Sequence, residues 1–475
     1  MDIAIVDTCL ITMSGKGVGV INDGAIGITG NRITFIGKTK ELNHREADNI
    51  IDGSHHATLP GLINSHIHTG ETLLRGGAQD LPEIEWMNKG LGPFAKHLTS
   101  DDKILGSKLG VLEGIRSGTT TFSEHTRHVT QLIKEVFLPF NVRVVATETI
   151  NEVSSDRSLF KPTDIYVFNR DQGDSDFTRA SQLFEENKDV DLVTTFYGPQ
   201  ALDMISLDLL QEIKQQAEER DSKIHMHIAQ GQRERIQIKG RYGADTTTVK
   251  VLENHKMLDN RVIAVHLHGS SPEERSLLVK RGVSMVGCPS SISLIDGIVP
   301  PVSHYIEIGG VAAIGTDQAP GPGHHNMFRE MRAASFSTKI IQKNPTALPA
   351  WQALKLATMN GASVLDLEQE IGSLEVGKKA DVITINLNNA NLIPIVSKPF
   401  NNVIPNLIYS MNGNEVDNVI IDGKIVLKDN KFTNIDENSI LKEANNRAQV
   451  IFEEGTEDWV KADSKMVSYR KNGFI

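Results

Sequence analysis

A chain of 475 residues exceeds what one hydrophobic core usually holds, so two structural units are expected. With 39% apolar and 23% charged residues, a net charge of −11 and scattered Lys and Arg, it has neither a disordered composition nor the basic face that nucleic acid requires. Its two cysteines, Cys9 and Cys288, cannot make a framework, the N-terminus lacks a basic leader, and no apolar run approaches the ~20 residues of a membrane span; a cytoplasmic protein with no membrane partner is expected.

In chain order, residues 1–58 carry β-rich runs ("MDIAIVDTCLITM", "GAIGITG", "RITFIGK") separated by turn chemistry such as "NDG" and "TGNR". The same texture returns over 369–435, with "ADVITINL" and "VIIDGKIVLKD". Neither end has enough strands to close a sandwich alone, so one composite β-sandwich domain built from both ends is expected. Between them, 59–368 alternates apolar strand-like runs with amphipathic helical stretches. The runs are "PGLINSH", "GTTTFSEH", "VRVVATETI", "DLVTTFYG", "KIHMHIAQ", "RVIAVHLHG", "GVSMVGCP" and "VAAIGTD". Gly118 and Gly282 suit helix C-caps before the next strand. Eight strand–helix repeats imply a parallel sheet, and eight is the number that closes a TIM-like (β/α)8 barrel. The insert over 69–100 is expected to cover the top face, and 436–475 reads as a helical tail used in packing or in a homo-oligomer.

Barrel enzymes keep their chemistry at the C-terminal ends of the strands. Strand 1 ends in His66 and His68, whose spacing of two sets both on one face. Strand 5 carries His225 and His227, strand 6 carries His266 and His268, and strand 8 ends in Asp317. Imidazole nitrogen with carboxylate oxygen is the donor set of Zn²⁺ and similar ions in catalytic sites, which keep one position open for water. A metal centre is therefore expected. His125, His128, His324 and His325 read as surface or supporting groups, with His324 and His325 on the rim.

The stretches "PGLINSHIHTGETLLRGGAQDLPEIEWM", "RSGTTTFSE", "IGTDQAPGPGHHNMFREMR" and "ATMNGASVLDLEQEIGSLEVGKKADVITI" resemble, in order, the amidohydrolase superfamily. The similarity lies in the branch of atrazine chlorohydrolase-like enzymes and deaminases of adenosine derivatives (S-adenosylhomocysteine, methylthioadenosine). The resemblance implies metal ligands at His66, His68, His227 and Asp317, with Asp317 also taking the proton of the attacking water. It implies that His266 polarises substrate or orients that water. No lysine ends strand 4, so one divalent ion is expected, Zn²⁺ first and Fe²⁺ as the alternative. His225 and His268 are read as turned away from His227 and His266, as packing residues.

The resemblance also brings out departures. Deaminating relatives carry His-x-x-Glu on strand 5, where the glutamate shuttles a proton; here "HIAQ" sets Gln230 in that place. Glutamine hydrogen-bonds but cannot deliver a proton. Glu124 and Glu234 are alternative donors, although Glu234 reads as a solvated helix-face charge. Gln200 stands for a substrate-contacting histidine, Ala95 for an acidic ribose-gripping residue, and Gly287-Cys288 for His-Asn. Trp86, Gln200, Gln230, Cys288 and His325 are the substrate-contact candidates; Cys288 also reads as a core filler and Arg75 as structural. The expected activity is hydrolysis of a C–N bond in a nitrogen-rich heterocycle, with deamination first. Loss of another group (halide, substituted amine, cyclic amide) and a non-catalytic metal binder are the alternatives.

Overall fold

The computed structural model describes residues 1–154 and 164–475. Its centre is a parallel sheet of β1 (Leu62–His68), β2 (Thr119–Thr126), β3 (Arg143–Ile150), β4 (Val193–Pro199), β5 (Ile224–Ile228), β6 (Val262–His266), β7 (Ser284–Gly287), β8 (Ala312–Ile314) and β9 (Asp317–Gln318). Neighbours pair in chain order from β1 to β8. The eighth strand breaks at Gly315, and its second half, β9, pairs with β1 through Asp317↔Ile67 and Gln318↔His68, which closes the barrel. Gly315 makes that closure feasible, because a Cβ there would lie 2.5 Å from the His66 backbone. All eight strands read from the sequence are present.

Helix placement follows local chemistry. The helix Ser100–Arg116 starts on a capping box in which Thr99 N–H donates to Asp102 at 2.8 Å and Asp102 N–H returns to the Thr99 hydroxyl at 3.2 Å. It stops before Gly118, whose φ of 86° is the left-handed turn that the C-cap reading requires; Gly282 repeats this with φ 77°.

Both chain ends build one mixed sheet. Its path runs from Lys431–Phe432 through Lys424–Lys428, Val416–Ile421, Val382–Asn386, His56–Pro60, Ile3–Ile11 and Val20–Thr29 to Arg32–Lys38. The join is antiparallel, with Val382↔Pro60 and Thr384↔Thr58 in register. An Arg32↔Lys379 bridge turns the sheet back on itself, and Ile5, Ile28, Leu374 and Val382 share the core between its halves. The insert after β1 is a set of short helical turns, including a π-helical Trp86–Leu91, rather than an open loop. It packs under the tail, whose helices Glu437–Glu454 and Thr456–Ala462 contribute Ile451 and Trp459 to a cluster with Leu73, Trp86 and Phe94. No helix among the described residues is long and apolar enough to cross a membrane.

Candidate active site

Regular alternation does not by itself bring the histidines together. Ile63 faces the barrel interior, yet Ile67 packs outward with the surrounding helices. Four residues apart on a regular strand, both would share a face. A register shift between Asn64 and Ile67 changes the phase, as a bulge does, and turns His66 and His68 inward. On β5, Ile224, Met226 and Ile228 pack outward, which leaves His225 and His227 facing the axis together. On β6, Ile263 and Val265 are interior, so alternation would send His266 outward; its φ of 78° turns it back over the barrel. Asp317 also has a left-handed backbone, φ 63°. Such conformations in non-glycine residues cost about 1–3 kcal/mol and concentrate at functional sites.

The donor atoms converge. His66 Nε2 lies 3.2 Å from His227 Nε2 and 3.8 Å from Asp317 Oδ1, and His68 Nε2 lies 3.5 Å from the same Oδ1. Ligands of a tetrahedral ion with bonds of ~2.0–2.1 Å stand roughly 3.3 Å apart, so the spacing fits. The other ring nitrogens are occupied. His227 Nδ1 meets the Gln200 carbonyl at 2.8 Å, His68 Nδ1 meets the His125 carbonyl, and His66 Nδ1 meets His225 Nε2 at 3.0 Å. Donation from Nδ1 to a carbonyl in His227 and His68 fixes the tautomer with the Nε2 lone pair turned to the centre. Burial lowers the pKa of all three rings and holds them neutral, the ligating form. Burial also lifts Asp317 to about 6, against donation from the Ser291 hydroxyl to Oδ2 at 2.7 Å and from the Gln318 backbone. These residues suit a divalent ion. His266 groups with His66 and His227, its ring 5.2 Å from that of His227 and its Nδ1 without a partner.

Two sequence readings are corrected. His225 is not turned away from His227: two steps along a strand return to the same face, and His225 supports His66. His268 does not turn away from His266 either, since Leu267 between them packs outward and the two rings lie 6.0 Å apart.

Other candidates take supporting places. His325 is fully buried with both nitrogens engaged, by Thr72 and Thr316 hydroxyls at 3.1 Å each, so the substrate-contact reading gives way to a structural one. His324, also buried, meets the Asn326 N–H at 3.2 Å and does not sit on the rim. Cys288 is fully buried among Ile63, Phe196 and Val286, a core filler rather than a pocket thiol. Gln200 offers its carbonyl to His227, while its side chain accepts from Asn151 at 2.9 Å. Trp86 is buried in the insert's cluster, with its indole N–H aimed at the Pro320 carbonyl 3.4 Å away. Arg75 pairs with Glu113, in keeping with a structural role. Glu234 is 1% exposed, not solvated: its carboxylate collects the Ala229 and Gln230 N–H groups and the Thr248 hydroxyl. Glu124 is likewise held by the Thr69 N–H and hydroxyl, and burial lifts it to about 8. Ser291 and the carbonyl of His125 went unread; "PSS" directly after strand 7 was the available signal for Ser291.

The comparisons agree with this geometry. The family model described as "Amidohydrolase family" matches residues 57–426. A 5-methylthioadenosine/S-adenosylhomocysteine deaminase of Moorella thermoacetica is 33% identical over 94% of this chain and 98% of its own. A 5'-deoxyadenosine deaminase of Methanosarcina mazei is 32% identical over the same shares, 94% and 98%. The crystal structure of an adenosine deaminase from Xanthomonas campestris with bound zinc superposes with a TM-score of 0.85 at 26% identity, covering 95% of this chain and 98% of that one. With a barrel closed through Asp317 and histidines gathered at its C-terminal rim, the chain belongs to the amidohydrolase family.

Proposed function

We propose that this protein is a metal-dependent hydrolase that removes an amino group from a nitrogen-rich heterocycle, breaking a C–N bond outside the peptide class. The observation that carries this reading is the gathering of neutral imidazoles and a carboxylate around His66 Nε2, which lies 3.2 Å from His227 Nε2 and 3.8 Å from the Asp317 oxygen that His68 also approaches. The relatives named as deaminases of adenosine derivatives support the substrate class, and the zinc in the adenosine deaminase structure supports Zn²⁺ ahead of Fe²⁺. A divalent ion held there supplies Lewis acidity and a water acidified towards ~7.

The chain's own residues do the rest. Asp317, its Oδ2 held by the Ser291 hydroxyl at 2.7 Å, is placed to accept the proton of the attacking water. His266, held over the barrel with Nδ1 free, hydrogen-bonds the oxygen on which charge develops. Gln230 follows the end of β5, its backbone N–H held by the Glu234 carboxylate, and offers its amide to a ring nitrogen or carbonyl. Because that amide cannot protonate a poor leaving group, Gln230 favours one second reading, a substrate whose leaving group departs more readily than ammonia.

The test combines elemental analysis with ammonia release from a panel of adenosine-type nucleosides, other purines, pterins, pyrimidines and triazines. About one divalent ion per chain and ammonia from an amino-heterocycle are expected. Metal bound without ammonia from any compound sinks the deaminase form, and release of chloride or a substituted amine instead establishes the second reading. No stoichiometric metal sinks both.

A further inference from the structure

Gln230 leaves the proposed reaction without a proton donor on the strand-5 side, and the structure offers a pair of groups next to that place. His268 follows β6, adjacent to β5, and its ring lies against the Gln230 backbone. The side chain is 1% exposed, and apart from its contact with the Gln230 backbone neither ring nitrogen is held by a hydrogen bond. Asp296, which follows the helix Pro289–Ile295 after β7, brings its Oδ2 to 3.5 Å from His268 Nε2. Among the other carboxylates, Glu234 is engaged by loop N–H groups and Glu124 by Thr69, and Glu71 lies beside His68 and Asp317.

The geometry points to His268, backed by Asp296, as the proton relay that replaces the missing carboxylic acid of strand 5. This rests on the hydrolytic reading above. The groups facing the pair are Arg235 and His266 around His268, and Glu83 and Asp317 around Asp296. Burial, with Glu83 and Asp317 adding to it, lifts Asp296 to about 7, while burial and Arg235 lower His268 to about 4. Near neutral pH the pair's proton therefore sits on Asp296, from which the adjacent His268 ring passes it on.

The step balances. Water's oxygen bonds to the ring carbon, and the bond to the exocyclic nitrogen breaks with its electron pair going to nitrogen. One proton of the water passes through Asp317 to the ring nitrogen. The departing amino group takes a proton from the His268–Asp296 pair and leaves as ammonia. The second water proton, lost from the new hydroxyl as the carbonyl forms, restores the pair.

The test uses the full chain loaded with zinc, with the ammonia-releasing substrate of the panel. His268→Gln and Asp296→Asn are expected to lower kcat about 10²-fold with metal content unchanged. Adding Gln230→Glu to His268→Gln is expected to recover at least about tenfold of that loss, because it restores an acid on strand 5. In ¹³C-histidine-labelled protein, the His268 resonance is expected to show an inflection near pH 7, where Asp296 titrates, and to lose it in Asp296→Asn. Activity of either single variant within about threefold of the parent overturns the relay, as does a loss that Gln230→Glu leaves unrecovered. So does an Asp296→Asn titration identical to the parent's. A parent that binds zinc and releases no ammonia overturns the deaminase reading instead, and the titration arm still reads the pair.

Discussion

Asp317 has one oxygen turned to His66 and His68, while Ser291 donates to the other at 2.7 Å. That hydroxyl fixes the carboxylate's orientation, as outer partners of metal ligands do. Ser291→Ala is therefore expected to weaken zinc binding about 10–100-fold with little change in fold, measured by chelator competition and circular dichroism. Affinity unchanged by the substitution sinks the orienting role. Ser291 also shows where reading residues from the sequence runs out. The motif histidines were legible because rare side chains stood at strand ends. Their final directions depend on the β1 bulge and the left-handed turn at His266, neither of which side-chain identity announces. His225 was legible as well, because period-two alternation sets it beside His227.

The insert and the tail belong together as elements. Periodicity carries the eight strands and the helical tail, but the tail's contact with the helix that follows the insert joins residues some 345 positions apart, and no local pattern carries it. Arg447 on the tail helix reaches Asp102 in the first turn of the helix Ser100–Arg116, with bonds of 2.6 and 3.0 Å. Burial raises the Asp102 carboxyl, but Arg447 and Thr99 outweigh it and hold its pKa below the ordinary carboxylate range. A depressed folded-state pKa gives stability that is present above the unfolded carboxylate value and is lost as pH falls through the folded one. Arg447→Met is thus expected to destabilise the protein by about 1.5–3 kcal/mol at pH 7. The difference from the parent should shrink as both are titrated below the ordinary aspartate pKa of about 3.9. Denaturant melts of both proteins across that range check it, and a constant difference argues against the ion pair as the source.

At the scale of the molecule, the barrel and the composite sheet are joined by very little chain. Only Gly61 separates the strand His56–Pro60 from β1, the strand that carries His66 and His68. Gly61 N–H donates to the Asp381 carbonyl at 2.9 Å, so the return of the chain's second half locks onto the junction. Both ends of the chain looked incomplete in the sequence for this reason: the edge of one is the partner of the other. Asp381 also ties the sheet to the barrel wall, because Arg143 on β3 donates to both of its oxygens at 2.9 and 3.0 Å, with both side chains buried. Removing one partner of such a pair leaves an uncompensated buried charge, which costs about 3–5 kcal/mol. Asp422, 3.4 Å from Arg143, offsets part of that loss. Asp381→Asn is accordingly expected to cost about 3 kcal/mol, and to split one calorimetric unfolding transition into two as the sheet uncouples from the barrel. The zinc affinity of the native variant should stay within about threefold of the parent, because the ligands lie at the opposite end of the strands. A single transition at an unchanged temperature rules out this pair as the coupling element, and a large loss of zinc affinity places its effect in the site rather than in the junction.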